Sequence, residues 1–357
     1  MVHWGARRET RGGPFRRSRG DTTSLQTEPP GRFSLPVVNP TAARGPGFLG
    51  WEHAPSTTEV IMSAINPQMP ELPSSVELGM GQGGLAVARV FAPTGTAEIY
   101  LRGAHVSAWA PTGGRSVIWM SAKSEYVSGV PLRGGVPICF PWFAAHPTDA
   151  TAPSHGFARL ADWRLTEARE AGDDVVLVFV LTDTEATRAS AWPHRFEARY
   201  TVTVGAQLSL SLQVTNRDNV QLSFEQALHT YLDVADIRQT EVSGLEGAPF
   251  TDRLTGARPA ESEPVRFGAE TDRIYLNSTA ATTVTDAATG REITVTKQGS
   301  ASTVVWNPWI DKAAAMADFG DAEYTGMVCV ETCNIRDNAI TLTPGASHEM
   351  SVRYSVA

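Results

Sequence analysis

DDVVLVFVLTD (residues 173–183), FEARYTVTV (196–204) and QLSLSLQVTN (207–216) are the stretches whose reading decides the fold class. Each is a short run rich in apolar, β-branched or aromatic residues, bounded by Gly, Asp or Asn. In the last two, apolar residues alternate with polar ones, the period of a strand that buries one face. The pattern extends in both directions. LAVARVFAP (85–93), AEIYLRG (97–103), HVSAWAP (105–111) and SVIWMS (116–121) come earlier, and LSFEQALHTYLDV (222–234) follows. VTDAATGREITVTK (284–297) brackets Ala-Ala-Thr-Gly, as expected of a hairpin with glycine in its turn. No stretch sustains an amphipathic helix of more than a few turns. Many short strands over nearly 300 residues, with no linker between them, predict an all-β protein built as one large antiparallel β-sandwich.

That domain is expected over 76–357, with 62–75 as its lead-in. Residues 1–61, arginine-rich and then rich in Pro, Gly and Thr, lack apolar periodicity. They are expected either to be a disordered extension or to lie upstream of a natural start at Met62. No apolar run approaches the roughly 20 residues that span a bilayer, and no secretory signal is evident. The three cysteines, Cys139, Cys329 and Cys333, make a poor disulfide framework and suit a reducing cytoplasm. A net charge of -8 argues against nucleic-acid binding.

Four stretches carry polar groups where chemistry could sit. RGGVPICFPWF (133–143) offers Arg133 as a bidentate fork for an anion. Its glycines Gly134 and Gly135 suit close backbone approach to a ligand, and its aromatics suit the floor of a sugar site. SHGFARLADW (154–163) sets His155 and Arg159 about Gly156. ALHTYLDV (227–234) reads as one strand, with Leu228, Thr230, Leu232 and Val234 on one face. Glu225, Ala227, His229, Tyr231 and Asp233 share the other. GMVCVETCN (326–334) reads as a buried central strand that contains Glu331. Burial is costly for a carboxylate and raises its pKa, which moves it toward the range a general base needs. TDRIYLN (271–277) adds Asp272 and Arg273 as hydroxyl or phosphate contacts. Each of these also has a plain structural reading: a packed proline loop, an exposed histidine, a buried structural glutamate, surface ion pairs. Cys329 and Cys333 lack a second pair for a metal, and His146, Asp149 and His155 match no standard metal spacing.

RGGVPICFPWF, HGFARLADW, ALHTYLDV, TDRIYLN, WNPWIDKAAAMAD and VCVETCN, in that order, resemble the hexose-6-phosphate mutarotases (glucose-6-phosphate 1-epimerases) of the aldose 1-epimerase superfamily. The resemblance runs from about residue 76 to the C-terminus. It implies a β-supersandwich with a cleft on the concave face of one sheet, and interconversion of the α and β anomers of a hexose 6-phosphate. It implies Glu331 as general base, His229 as general acid, His155 as a second site histidine and Asp272 as a sugar-hydroxyl contact. Arg133 and Arg159 correspond to the phosphate-holding arginines. Gln226 stands where glutamate is the more usual residue, but strand parity turns it away from His229. The resemblance implies a cytoplasmic monomer acting on a small sugar phosphate, with no cofactor, metal, nucleic acid or membrane. Alternatives are an aldose 1-epimerase of free sugars and a non-catalytic sugar-binding sandwich. A paired-carboxylate glycosidase is less expected, because no second buried acid accompanies Glu331.

Overall fold

The computed structural model describes residues 69–357. The expectations for residues 1–61, and for the first part of the lead-in, lie outside the described residues.

Alternation sorts the side chains as the pattern predicts. Phe196–Val204 pairs antiparallel with Leu208–Asn216. Phe196, Ala198, Tyr200, Val202, Leu208, Leu210 and Leu212 are buried, while the intervening residues are more accessible. Among the described residues the strands form sheets of nine, seven, four and two strands. The nine-stranded sheet runs in the order Val265–Arg266, Thr240–Ser243, Thr282–Asp286, Arg291–Gln298, Ser347–Val356, Leu208–Asn216, Phe196–Val204, Asp174–Thr182, Arg164–Ala171. The seven-stranded sheet runs Phe250–Asp252, Thr271–Leu276, Ser302–Asn307, Met327–Asn334, Gln226–Leu228, Ile138–Cys139, with Tyr231–Asp233 also paired to Met327–Asn334. All these pairings are antiparallel.

One core lies between the two large sheets. Leu228, Leu232, Val328 and Val330 of the seven-stranded sheet share a cluster with Leu210, Leu212, Ile293 and Val352 of the nine-stranded sheet. Within it the hydroxyls of Thr230 and Tyr354 meet at 2.6 Å, so these two buried polar groups satisfy each other across the sandwich. Met327–Asn334 is the central strand expected, and every residue in it is buried. Its two faces differ. Val328 and Val330 face the core, whereas Met327, Cys329 and Cys333 join smaller clusters on the outer side with Tyr231, Ala227 and Ile274.

Two expectations need correction. ALHTYLDV is not one strand: it divides into Gln226–Leu228 and Tyr231–Asp233, because Thr230 N–H turns back to the Leu228 carbonyl at 2.9 Å. The register nevertheless continues across the break, with Leu228 opposite Thr332 and Tyr231 opposite Cys329, so His229 stands opposite Glu331. The glycines of RGGVPICFPWF bring the chain against itself and not against a ligand. Gly135 has φ +67, and a Cβ there would lie 2.1 Å from His105 Nε2 and 2.6 Å from the Val106 carbonyl. Gly135→Ala is therefore expected to cost more than about 1 kcal/mol of stability, since alanine is strained at positive φ even without the clash. Thermal unfolding of that variant checks it; an unchanged midpoint would contradict the packing described.

Candidate active site

Antiparallel register builds the site in rows. Across the outer face of the seven-stranded sheet, Asp272 pairs with Trp306, Trp306 with Cys329 and Cys329 with Tyr231. In the next row Ile274 pairs with Val304 and Val304 with Glu331, which has His229 opposite. Side chains directly opposite on one face sit about 4.5–5.5 Å apart at Cβ, so His229 and Glu331 meet because of register, not loop geometry. His229 Nε2 lies 3.3 Å from Glu331 Oε1.

The pair borders a cavity of about 320 Å³. Phe143, Tyr231 and Trp306 give it aromatic walls, His155 and Asp272 add polar groups, and Arg133, Arg253 and Lys312 supply positive charge. Tyr231 stacks on His229 with ring centroids 5.0 Å apart and 15° between planes, and the His155 ring meets His229 edge-on at 5.5 Å. His155 is held at φ +64, just before Gly156 at φ +75. A non-glycine residue in that region stores strain, which often marks a functional site.

Burial governs the protonation of the pair. Desolvation pushes the Glu331 carboxyl well above its ordinary value, helped by the nearby Asp272 charge. Desolvation, with Arg159 and Arg133 adding repulsion, pushes His229 down to about 3. His155 is likewise driven down, by burial and then by His229 and Arg159. Coupled groups of this kind titrate as a unit. Both shifts favour the uncharged forms, a protonated Glu331 beside a neutral His229. A carboxyl whose native pKa is raised keeps its proton while the unfolded chain loses it, so stability falls as pH climbs above about 4.3. Glu331→Gln removes that penalty. We expect its unfolding midpoint at or above wild type at neutral pH, with the gap closing toward pH 4. Each tenfold difference in proton affinity between the folded and unfolded chain corresponds to about 1.4 kcal/mol.

Five of the six residues to which the resemblance assigns a site role line this cavity: Arg133, His155, His229, Asp272 and Glu331. Arg159 is not among the lining side chains. Its Nη2 donates to the Ser154 carbonyl at 2.7 Å, and its charge is felt by His155 and His229. Arg133 is engaged already: Nε and Nη2 reach Asp318 Oδ2 at 3.1 and 3.0 Å, and Nη1 donates to the Tyr231 hydroxyl at 3.1 Å. Of the aromatics in RGGVPICFPWF, Phe143 lines the site, whereas Phe140 and Trp142 belong to the core. The polar stripe of ALHTYLDV is narrower than its parity suggests. Glu225 accepts from the Phe143 and Arg336 backbone N–H groups, and Asp233 pairs with Arg291 at 3.0 Å. Arg273 points away from the site, to Glu261 and over the Phe250 ring. His146 accepts from Asp149 N–H inside its own turn. Gln226 is fully buried and away from the cavity.

The aldose 1-epimerase family profile matches residues 91–355. The chain belongs to the aldose 1-epimerase family. Among members of that family, it is 36% identical over 264 residues to a candidate glucose-6-phosphate 1-epimerase from Cenchrus ciliaris, covering 70% of this chain and 78% of that one. A protein of the same description from Escherichia coli K12 is 37% identical over 242 residues, 67% of this chain and 80% of its own. A solved structure of a mutarotase candidate from Salmonella typhimurium superposes with a TM-score of 0.75 at 32% identity, covering 84% of this chain and 99% of that one. A galactose mutarotase-like protein from Clostridium acetobutylicum shares the fold at a TM-score of 0.61 and 14% identity, covering 79% of this chain and 98% of that one. The epimerase family membership and the β-sandwich are thus established together.

Within this epimerase fold, Arg253, Lys312, Trp306 and Asp318 join the site without having been singled out in the sequence. The sequence also gives no sign of a second buried acid, yet Asp272 is largely buried in the same cavity, with Arg253 Nη1 holding its Oδ2 at 3.1 Å. Glu331 comes from a paired strand and His229 from the short break opposite it, whereas the cations come from connections. Arg133 precedes Ile138–Cys139, Arg159 sits in the turn Ala158–Leu160, Arg253 follows Phe250–Asp252, and Lys312 lies in the helix Trp309–Ala315. A register argument could have found Trp306, one strand over from Cys329. Nothing in single stretches marks Arg253 or Lys312 as neighbours of Glu331.

Proposed function

We propose that this epimerase interconverts the α and β anomers of a hexose 6-phosphate, with Glu331 and His229 as its acid–base pair. The carrying observation is the contact at 3.3 Å between a buried carboxylic acid and a partly buried imidazole, facing a cavity whose walls carry Arg133, Arg253 and Lys312. Anomerisation removes the proton from O1 and adds one to the ring oxygen; the ring opens, C1–C2 rotates, and closure occurs on the other face. Both oxygens are bonded to C1, so base and acid must converge on one atom. Moving the Glu331 proton from Oε1 to Nε2 yields a carboxylate base and an imidazolium acid without a proton from water. A general base and a general acid suggest those charges at rest; burial makes them the working state instead. A sugar phosphate favours that state, because its negative charge offsets the guanidinium charges that add to burial in keeping His229 neutral.

Two buried carboxylate oxygens without a protein partner support a polyhydroxyl substrate. Glu331 Oε2 and Asp272 Oδ1 both lack a hydrogen-bond donor from the protein, and both residues line the cavity. Buried acceptors are normally paired, and sugar hydroxyls would pair them. Phe143, Tyr231 and Trp306 supply the apolar faces that a pyranose ring packs on. The sugar-phosphate relatives support the same substrate class. Exchange NMR of the two anomers tests the reading: the protein should accelerate α/β exchange of glucose 6-phosphate with a kcat/KM well above that for glucose. Equal efficiency on both would favour a free-sugar epimerase, and binding without exchange a sugar-binding sandwich.

A further inference from the structure

His229 has partners on both ring nitrogens. Nε2 faces Glu331, and Nδ1 lies 3.7 Å from Cys329 Sγ. Register explains the group: Cys329 and Glu331 are alternate residues on one face of Met327–Asn334, and His229 stands opposite from the neighbouring strand. One donor atom from each of the three residues lies within 4.8 Å of the others. Cys329 and Glu331 are 0% and 2% exposed, and Glu331 Oε2 has no protein partner. An imidazole nitrogen, a thiol sulfur and a carboxylate oxygen are the donors that zinc accepts, and its usual bond lengths put N and S about 3.6 Å apart in a tetrahedral site. A single metal ion takes one of the two ring nitrogens: the 3.7 Å between Cys329 Sγ and Nδ1 needs little adjustment, whereas the Glu331 carboxylate, 3.3 Å from Nε2, has to swing to the Nδ1 side to complete the set.

We propose that His229, Cys329 and Glu331 form an inhibitory site for a thiophilic divalent metal ion, with zinc as the best fit. On binding, the Cys329 S–H and the Glu331 O–H bonds break, both protons leave to solvent, and metal–sulfur and metal–oxygen bonds form beside a bond to neutral His229, so affinity rises with pH. The metal takes up both members of the acid–base pair and stops anomer exchange. Inhibition rests on the reading of that pair as catalytic; the binding itself does not.

The test is a Co²⁺ titration of the full-length, metal-free protein, followed by displacement with Zn²⁺. One equivalent of cobalt should give a thiolate-to-cobalt charge-transfer band, and one equivalent of zinc should abolish it. Anomer exchange should fall in step with zinc occupancy and return when a chelator is added. Cys329→Ser should lose the band and bind zinc more weakly by at least the ~10–100-fold that loss of an outer-shell partner costs. His229→Gln should lose the site as well, which covers the case in which the cysteine variant does not fold. No cobalt binding, a cobalt spectrum without the thiolate band, or unchanged zinc affinity in the folded variants would overturn the proposal. Metal binding with the band, in a protein that shows no anomer exchange, would uphold the site and sink the function proposed above. Robust exchange with no metal binding would do the reverse.

Discussion

Replacing Glu331 with glutamine, or His229 with alanine, is expected to slow α/β exchange of glucose 6-phosphate by about 10²–10⁴-fold, the usual contribution of a positioned acid–base group. Glutamine keeps the shape of Glu331 and can still donate to Nε2, but it cannot take the O1 proton. Alanine at 229 leaves the ring oxygen without its proton source. As members of the proposed acid–base pair they act as a unit, so the double variant should be little worse than either single one. Binding of the sugar phosphate should survive in Glu331→Gln, because Arg133, Arg253 and Lys312, the cations proposed to hold the phosphate, are untouched. Exchange NMR gives the rates, and calorimetry the affinities. A Glu331→Gln protein that exchanges anomers at the wild-type rate would remove the acid–base pair from the mechanism.

Arg133→Met is expected to lower kcat/KM for glucose 6-phosphate about 10–100-fold more than for glucose. That range corresponds to the roughly 1.5–3 kcal/mol of a hydrogen bond to a charged group, at about 1.4 kcal/mol per tenfold change. Arg133 is fixed on the Tyr231 hydroxyl and on Asp318, so it meets a ligand with its guanidinium already oriented. Burial works against its charge, but Tyr231 and Asp318 more than compensate and raise its pKa above the ordinary arginine value. Arg273→Met is the control. Arg273 lies in the same strand as Asp272 but faces Glu261 and the Phe250 ring, so neither substrate should feel its loss. Equal losses on both sugars in Arg133→Met would assign Arg133 to holding Tyr231 and not to reading phosphate.

The sandwich was legible because alternation of apolar and polar residues is a local signal, as in Phe196–Val204. Glu331 was legible because a charge inside an apolar run contradicts its surroundings. Register was not legible: nothing local tells His229 that its neighbour is Glu331, since the pairing depends on where two distant strands meet. For the same reason Asp233, of the same parity as His229, looked like a site residue and is instead held by Arg291. Asp272 and Arg273 could have been separated by parity alone, because adjacent strand residues face opposite sides. Arg253 carried no signal, and Lys312 lay inside the quoted WNPWIDKAAAMAD without any local feature to single it out, as cations in a turn and a short helix are common. The tight turn at Thr230 was hidden because its hydrogen bond to Leu228 competes with the ladder only in three dimensions.

The separation of the acid–base pair from the surrounding cations gives the protein two parts that can diverge at different rates. Thr230, next to His229, is tied to Tyr354 of the opposite sheet, so the break that carries His229 is anchored in the core. Arg159, Arg253 and Lys312 lie in a turn, just past a strand end and in a short helix, outside the paired strands, whereas Arg133 leads into a buried segment. A lineage can therefore trade one anionic sugar for another, or for a neutral one, by rewriting the connections that bear Arg159, Arg253 and Lys312 around an unaltered Glu331–His229 pair. The same division tells an engineer where to randomise and where to leave the chain alone.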